Sequence, residues 1–171
     1  MSHLSNARAF LAPCAFLVAV TAAPSANAAN PCDALYNAGI KSVQTPHRVY
    51  STRAMPGRKT QASEAVFAAG NEYLQIDGKW IRSPMPQPAM VAAAQEKLKT
   101  HPDTCTPMGD QMVGGQAVSV FKAHSNEMET DQTVRIFKSS GLLQGATMGL
   151  PNAGMEIRYE YDNVQAPPGV K

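Results

Sequence analysis

The stretch EIRYEYD, Glu156–Asp162, alternates without a break: Ile157, Tyr159 and Tyr161 are separated by Glu156, Arg158, Glu160 and Asp162. Successive side chains of an extended chain point to opposite faces, so strict period two predicts a strand with one apolar and one charged side. The charged side reads as a solvated outer face that discourages edge pairing. Arg158 lies among the carboxylates and partly neutralises them, which does not suit a glycosidase acid pair. The tyrosine side must be covered, either by a filled core or by a cavity that holds something.

Working back from this strand, the chain reads as a meander. SSGLLQGATMG (139–149) turns at Gly141, TVRIFKSS (133–140) precedes it, and NEMETDQ (126–132) is a polar turn. DQMVGGQAVSVFKAHS (110–125) turns at Gly114-Gly115. Short strands punctuated by turn residues predict consecutive antiparallel pairing. Further upstream, HRVYSTRAM and TQASEAVFAAG flank Pro56-Gly57 as two more strands. NEYLQIDGKWIRS is the clearest hairpin: Asp77-Gly78 suits a two-residue turn with positive φ at both positions. Pairing about it sets Leu74 opposite Ile81 and Gln75 opposite Trp80.

Two helices interrupt the strands. In PCDALYNAGIKSVQ the residues Tyr36, Ile40 and Val43 form an apolar stripe beside Leu35, Asp33 is placed to cap, and Pro46 ends the element. In PAMVAAAQEKLKTHP the stripe is Met90, Ala94 and Leu98, small enough for close packing on a sheet, and Pro102 ends it. The order is helix, four strands, helix, then about five strands. No repeat or linker divides it, so residues 29–171 read as one α+β domain.

The first residues have a different character. Arg8, an apolar run from Ala9 to about Ala23 and the motif Ala26-Asn27-Ala28 are the three parts of a secretory signal peptide, residues 1–28. The run is interrupted by Pro13 and falls short of the ~20 apolar residues of a membrane span. This predicts export to the periplasm, with secretion as the lesser alternative. Cys14 lies in the leader after Pro13, a poor context for lipid modification. Cys32 and Cys105 remain, and an even pair in an exported chain predicts a disulfide closing a long loop.

Composition narrows the chemistry. The formal net charge is +2, with signs interspersed and no basic block, so nucleic acid is not an expected partner. His47, His101 and His124 have no metal-ligand spacing with each other or with cysteine. No GxSxG elbow or phosphate-cradling glycine loop occurs. Neither a catalytic residue, nor a metal, nor a cofactor is predicted. Nine methionines accompany a single Trp, and eight of the nine follow the leader. Such flexible thioethers either fill irregular gaps or line a surface that adapts to varied apolar partners.

The segments GGQAVSVFKAHSN, TVRIFKSSGLLQGATMG and MEIRYEYDNVQAPPG together resemble the closing strands of the LolA/LolB-like lipoprotein-localisation superfamily. The Ser140-Gly141-Leu142 turn and the run from Tyr159-Glu160-Tyr161 to Ala166-Pro167 carry the likeness. The resemblance implies a curved antiparallel sheet, an unclosed β-barrel of about eight to nine strands, covered on its concave side by two short helices. It also implies a non-enzymatic protein that shelters a lipid or a lipoprotein acyl chain. Leu142, Leu143, Met148, Tyr159 and Tyr161 are then the candidate cavity residues. The alternative is a protein-interaction or inhibitor module with a filled core and no ligand.

Overall fold

In the computed structural model, which describes residues 30–150 and 153–170, the alternation at Ala153–Glu160 does produce a strand. The signal peptide expected at 1–28, with Cys14, lies outside the described residues. Helix α1 (Pro31–Gln44) is followed by β1 (His47–Ala54), β2 (Gln61–Ala68), β3 (Asn71–Ile76) and β4 (Lys79–Arg82). Helix α2 (Gln87–Thr100) then leads into β5 (Asp103–Val113), β6 (Gln116–Ser125), β7 (Thr130–Phe137), β8 (Leu143–Leu150) and β9 (Ala153–Glu160). All nine strands form one antiparallel sheet in the order β4-β3-β2-β1-β9-β8-β7-β6-β5, open at β4 and β5. This is the α+β architecture the sequence predicts.

The one pairing that no local signal announced is β1 with β9. Val49 lies opposite Tyr159 and Ser51 opposite Ile157, which joins the two halves into one surface. The β3–β4 hairpin forms in the expected register, Leu74 with Ile81 and Gln75 with Trp80, and Asp77 and Gly78 take φ of 50° and 74°. At the far edge, β5 carries Pro107 and an irregularity before Gly109, and Met108 is exposed. A proline and a bulge both blunt a free edge against further pairing.

The register sorts the side chains onto two faces. His47, Val49, Phe67, Ala65, Tyr159, Ile157, Ala146, Val134, Phe121 and Ala123 share the face that α1 covers. On the other face Arg158 stands over the Tyr50 ring at 4.6 Å and pairs with Glu160, and Arg48 pairs with Glu64 at 3.0 Å. The residues after β9 return across that outer face, where Val164 and Val170 pack with Trp80 against Val66, Ala68 and Tyr73.

Helix α1 begins one turn position earlier than its sequence indicates. Pro31 occupies the first turn, where its missing N–H is no loss. Asn30 is therefore the cap, its side chain accepting the Cys32 N–H at 2.9 Å, and Asp33 falls inside the helix. Helix α2 packs on α1 rather than directly on the sheet. Gln87 at its start donates to the Val43 carbonyl, while His101 at its end bonds Asp33, so the two helices run antiparallel.

The disulfide forms between Cys32 and Cys105, with Cα atoms 5.2 Å apart and a sequence separation of 73. It ties the first turn of α1 to β5. Closing a loop of that length stabilises the fold by about 4 kcal/mol in the chain-entropy treatment. The double variant Cys32→Ser/Cys105→Ser is therefore expected to lose about 2–5 kcal/mol in urea unfolding, with its far-ultraviolet circular dichroism unchanged. An unaltered midpoint would show that the bond places no constraint on the unfolded chain.

Candidate functional site

Two attachments hold α1 over the concave face. The disulfide is one. The other is a closed set of hydrogen bonds at the opposite end of the helix. The Leu143 N–H donates to Ser42 Oγ at 3.0 Å, and Tyr161 Oη donates to the Leu143 carbonyl at 2.8 Å. Tyr161 has a single hydroxyl hydrogen, so in its 2.9 Å contact with Ser42 the serine must be the donor. Ser42 is 1 % exposed, and burial pushes the Tyr161 phenol up to about 12, so this set keeps its protons throughout the physiological range. Lys41 adds a bond to the Ser140 carbonyl in the turn before β8.

Between these attachments the helix does not fill the concave face. A cavity of about 200 Å³ lies on the β5 side, walled by Leu35, Val134, Ala146, Ile157 and Tyr159, with Tyr36, Asp103 and Gln132 as its polar groups. A second cavity of about 350 Å³ lies on the β2 side, walled by Val43, Val49, Ala65, Phe67 and Ala94, with His47 and Glu72 at its margin. Leu143 and Tyr159 line both, so they form the partition between them. Gly145 is required here: a Cβ at this position would stand 2.5 Å from the Ile157 carbonyl oxygen and 2.9 Å from Arg135 Nη2.

His47 borders the larger cavity and is 2 % exposed. Its ring stacks on Phe67 at 4.2 Å, with Tyr159 and Tyr161 at 5.7 and 5.8 Å. Burial lowers its pKa below the ordinary 6.5, opposed in part by backbone hydrogen bonds to Thr45 and Ser42. The neutral ring donates from Nδ1 to the Thr45 carbonyl at 2.7 Å. Ser42, His47 and Glu72 are the residue types of a hydrolytic triad and line one cavity. Their bonds are spent otherwise: Ser42 Oγ on Tyr161 and Leu143, and His47 Nδ1 on a backbone carbonyl. His124 lies elsewhere, bonded to Asp131 at 2.8 Å.

The candidates read from the sequence are thus divided. Leu143 and Tyr159 meet at the partition. Tyr161 secures α1 through the hydrogen bonds above, and with Leu142 it borders a separate groove near Phe137 and Gln116. Met148 shares the concave face by register, opposite Gln132 and Met155, but lines neither cavity. Among the described residues no methionine lines either one, and Met85, Met108, Met112 and Met128 are exposed. The lining is aliphatic and aromatic instead. His47 and Phe67 were not named as lining residues, because their meeting with Tyr159 depends on the pairing of β1 with β9.

No family model and no curated protein matches the chain. Solved structures do. The Mycobacterium tuberculosis lipoprotein LppX is 9 % identical, with 80 % of this chain and 99 % of that one covered, at a TM-score of 0.45. The MucA/MucB complex of Pseudomonas aeruginosa is 11 % identical, covers 78 % of this chain and 58 % of the other, and has a TM-score of 0.47. A LolA superfamily protein from Nitrosomonas europaea is 7 % identical over 82 % of this chain and 96 % of its own, at a TM-score of 0.34.

The state of His47 makes the site sensitive to acid. Its folded pKa is below its unfolded value, so the unfolded chain takes up the proton first. Stability is complete above about pH 6.5 and falls as the pH drops below it toward the folded pKa. In His47→Phe the acid-side slope of the melting temperature between pH 6.5 and 5 should be shallower than in the wild type. Parallel slopes would show that His47 does not titrate differently on folding.

Proposed function

We propose that this is an exported, non-enzymatic periplasmic protein, residues 29–171 forming one domain, that shelters an apolar ligand between α1 and the concave sheet. A lipid or a lipoprotein acyl chain is the ligand class. The observation that carries this reading is the apolar space left on both sides of the partition made by Leu143 and Tyr159. The larger cavity falls within the ~300–1,000 Å³ range of small-molecule sites. Each methylene moved there from water contributes about 0.8 kcal/mol, and such burial is non-directional, so a chain is held without polar contacts along its length. The signal-peptide pattern of residues 1–28 and the Cys32–Cys105 bond support an oxidising compartment outside the cytoplasm. An interaction module with a filled helix–sheet interface is disfavoured by the same two cavities.

The test is solvent extraction of the purified mature protein followed by mass spectrometry of the extract, with uptake of a fluorescent acyl-chain probe measured in parallel. Co-purifying lipid and saturable uptake are expected. Leu143→Trp, which places an indole in both cavities and leaves the backbone bonds of Leu143 in place, should weaken uptake by roughly tenfold or more. An empty extract together with no uptake would contradict the proposal.

A further inference from the structure

The flank of α1 that faces β6 and β7 leaves a third space, a groove of about 430 Å³ open to solvent. Its size falls within the ~300–1,000 Å³ range of small-molecule sites. Ala34 and Ala38 lie one turn apart on this flank, and across the groove are Phe121 and Ile136, which share the concave face. Two small residues on the helix opposite two large ones on the sheet keep the space open. The charges in the lining are Lys41, at the end of the same helical flank, and Lys138, just after β7. Lys41 Nζ stands 3.9 Å from the point that a Cβ on Gly141 would occupy, and Gly141 lines the groove too, so the ammonium marks one end of it.

The two lysines are not equivalent. Lys138 Nζ pairs with Asp110 Oδ2, and Ser119 Oγ donates to Oδ1 of the same carboxylate at 2.9 Å. Those bonds, Lys138 first and Ser119 second, hold the Asp110 carboxyl below the usual range, so Lys138 keeps its counter-charge. Lys41 has none. Among the described residues no carboxylate lies within 4.0 Å of its Nζ. One of its three hydrogens goes to the Ser140 carbonyl, which leaves two donors on an exposed side chain. On an open surface such an ammonium needs only water. At the end of an apolar groove it gives the groove a direction, with a charged head at Lys41 and an apolar body beside Ala38 and Ala34.

We propose that this groove binds a single-chain amphiphile with an anionic head, its chain lying along Ala34, Ala38, Phe121 and Ile136 and its phosphate or carboxylate accepting from Lys41. The groove is separate from the two cavities beside the Leu143–Tyr159 partition, and the proposal stands next to the reading given for them. A bond from an ammonium to an oxyanion is charge-assisted and about twice as strong as a neutral one. A hydroxyl head gains no such charge. An amine head would meet Lys41 and Lys138 as like charges, and for it to reach Asp110 the Lys138 pair would have to open.

The test is titration calorimetry of the whole mature protein with decyl phosphate, decanoate and decanol, each below its micelle concentration, and with inorganic phosphate alone. The two anionic chains should bind about tenfold more tightly than the alcohol. Added salt should shrink that difference, because the Lys41 ammonium is exposed. Lys41→Gln should abolish the preference and Lys41→Arg should keep it, which separates the charge from any part Lys41 has in holding α1. Ala34→Phe, which fills the groove from an exposed position, should weaken decyl phosphate by about tenfold. If that variant does not fold, the preference in Lys41→Gln decides the matter. A preference that is absent, or that survives Lys41→Gln, overturns the site and leaves the cavity reading in place. Inorganic phosphate competing as well as decyl phosphate would assign Lys41 to a free anion and overturn the amphiphile. A dimer in sedimentation that Ala34→Phe abolishes, with no anion preference, would give the groove to a second copy of the chain and likewise overturn it. Binding of none of the chains overturns this site and the cavity reading together.

Discussion

The closed set of hydrogen bonds among Ser42, Tyr161 and Leu143 decides where α1 lies, and the rest of the concave face follows from it. Each member donates once and accepts once, so the buried Ser42 of α1 and the half-buried Leu143 of β8 and Tyr161 just after β9 satisfy one another. Breaking either bond of the buried Ser42 hydroxyl leaves it without a partner, which costs more than losing an exposed bond of the same kind. At the other end of the helix the disulfide does the same work covalently. A helix held at both ends by groups that project from the sheet is held at a set distance from it. Apolar space then remains along its flanks.

That spacing explains why the cavity walls come from so many elements. Ile157 and Tyr159 of β9 meet Val49 of β1 on one side and Ala146 and Val134 on the other, because β9 lies in the middle of the sheet order. The small Ala146 keeps that middle shallow, and on the side of Arg158 Gly145 admits the Ile157 carbonyl and the Arg135 guanidinium where a side chain could not fit. Helix α2, which buries none of its residues fully, closes the layer from outside by packing on α1. The outer face is finished differently, by Arg158 over Tyr50 and by the returning segment at Val164 and Val170.

Local signals made much of this legible in the sequence. The alternation of EIRYEYD, the Asp77-Gly78 turn and the paired cysteines each rest on chemistry within a few residues or on simple counting, and each has its counterpart in the fold. Tyr159 falls on the covered face by the period of its strand, whereas Leu143 was named with Leu142 only through the family resemblance, and it reaches the covered face because the β7–β8 register shifts between Arg135 and Ile136. The pairing of β1 with β9 could not be read, since it joins segments about a hundred residues apart with no shared local pattern. His47 was missed for that reason, and Asp103 because its partner comes from the distant α1. Their environments are made by long-range partners, Phe67 and Tyr159 for the histidine, and Tyr36 for the aspartate. Methionine misled in the other direction, because its flexibility suits an adaptable lining as well as it suits the exposed positions that Met108 and Met112 occupy.

The central claim is that a ligand lies between α1 and the sheet, and photo-cross-linking with a diazirine-bearing acyl chain tests it most directly. Peptide mapping by mass spectrometry should find the label on α1 around Leu35–Val43, on β8 around Leu143–Ala146 and on β9 around Ile157–Tyr159. Label confined to the outer face near Tyr50 and Arg158, or to the free edge at Met108–Met112, would contradict the account.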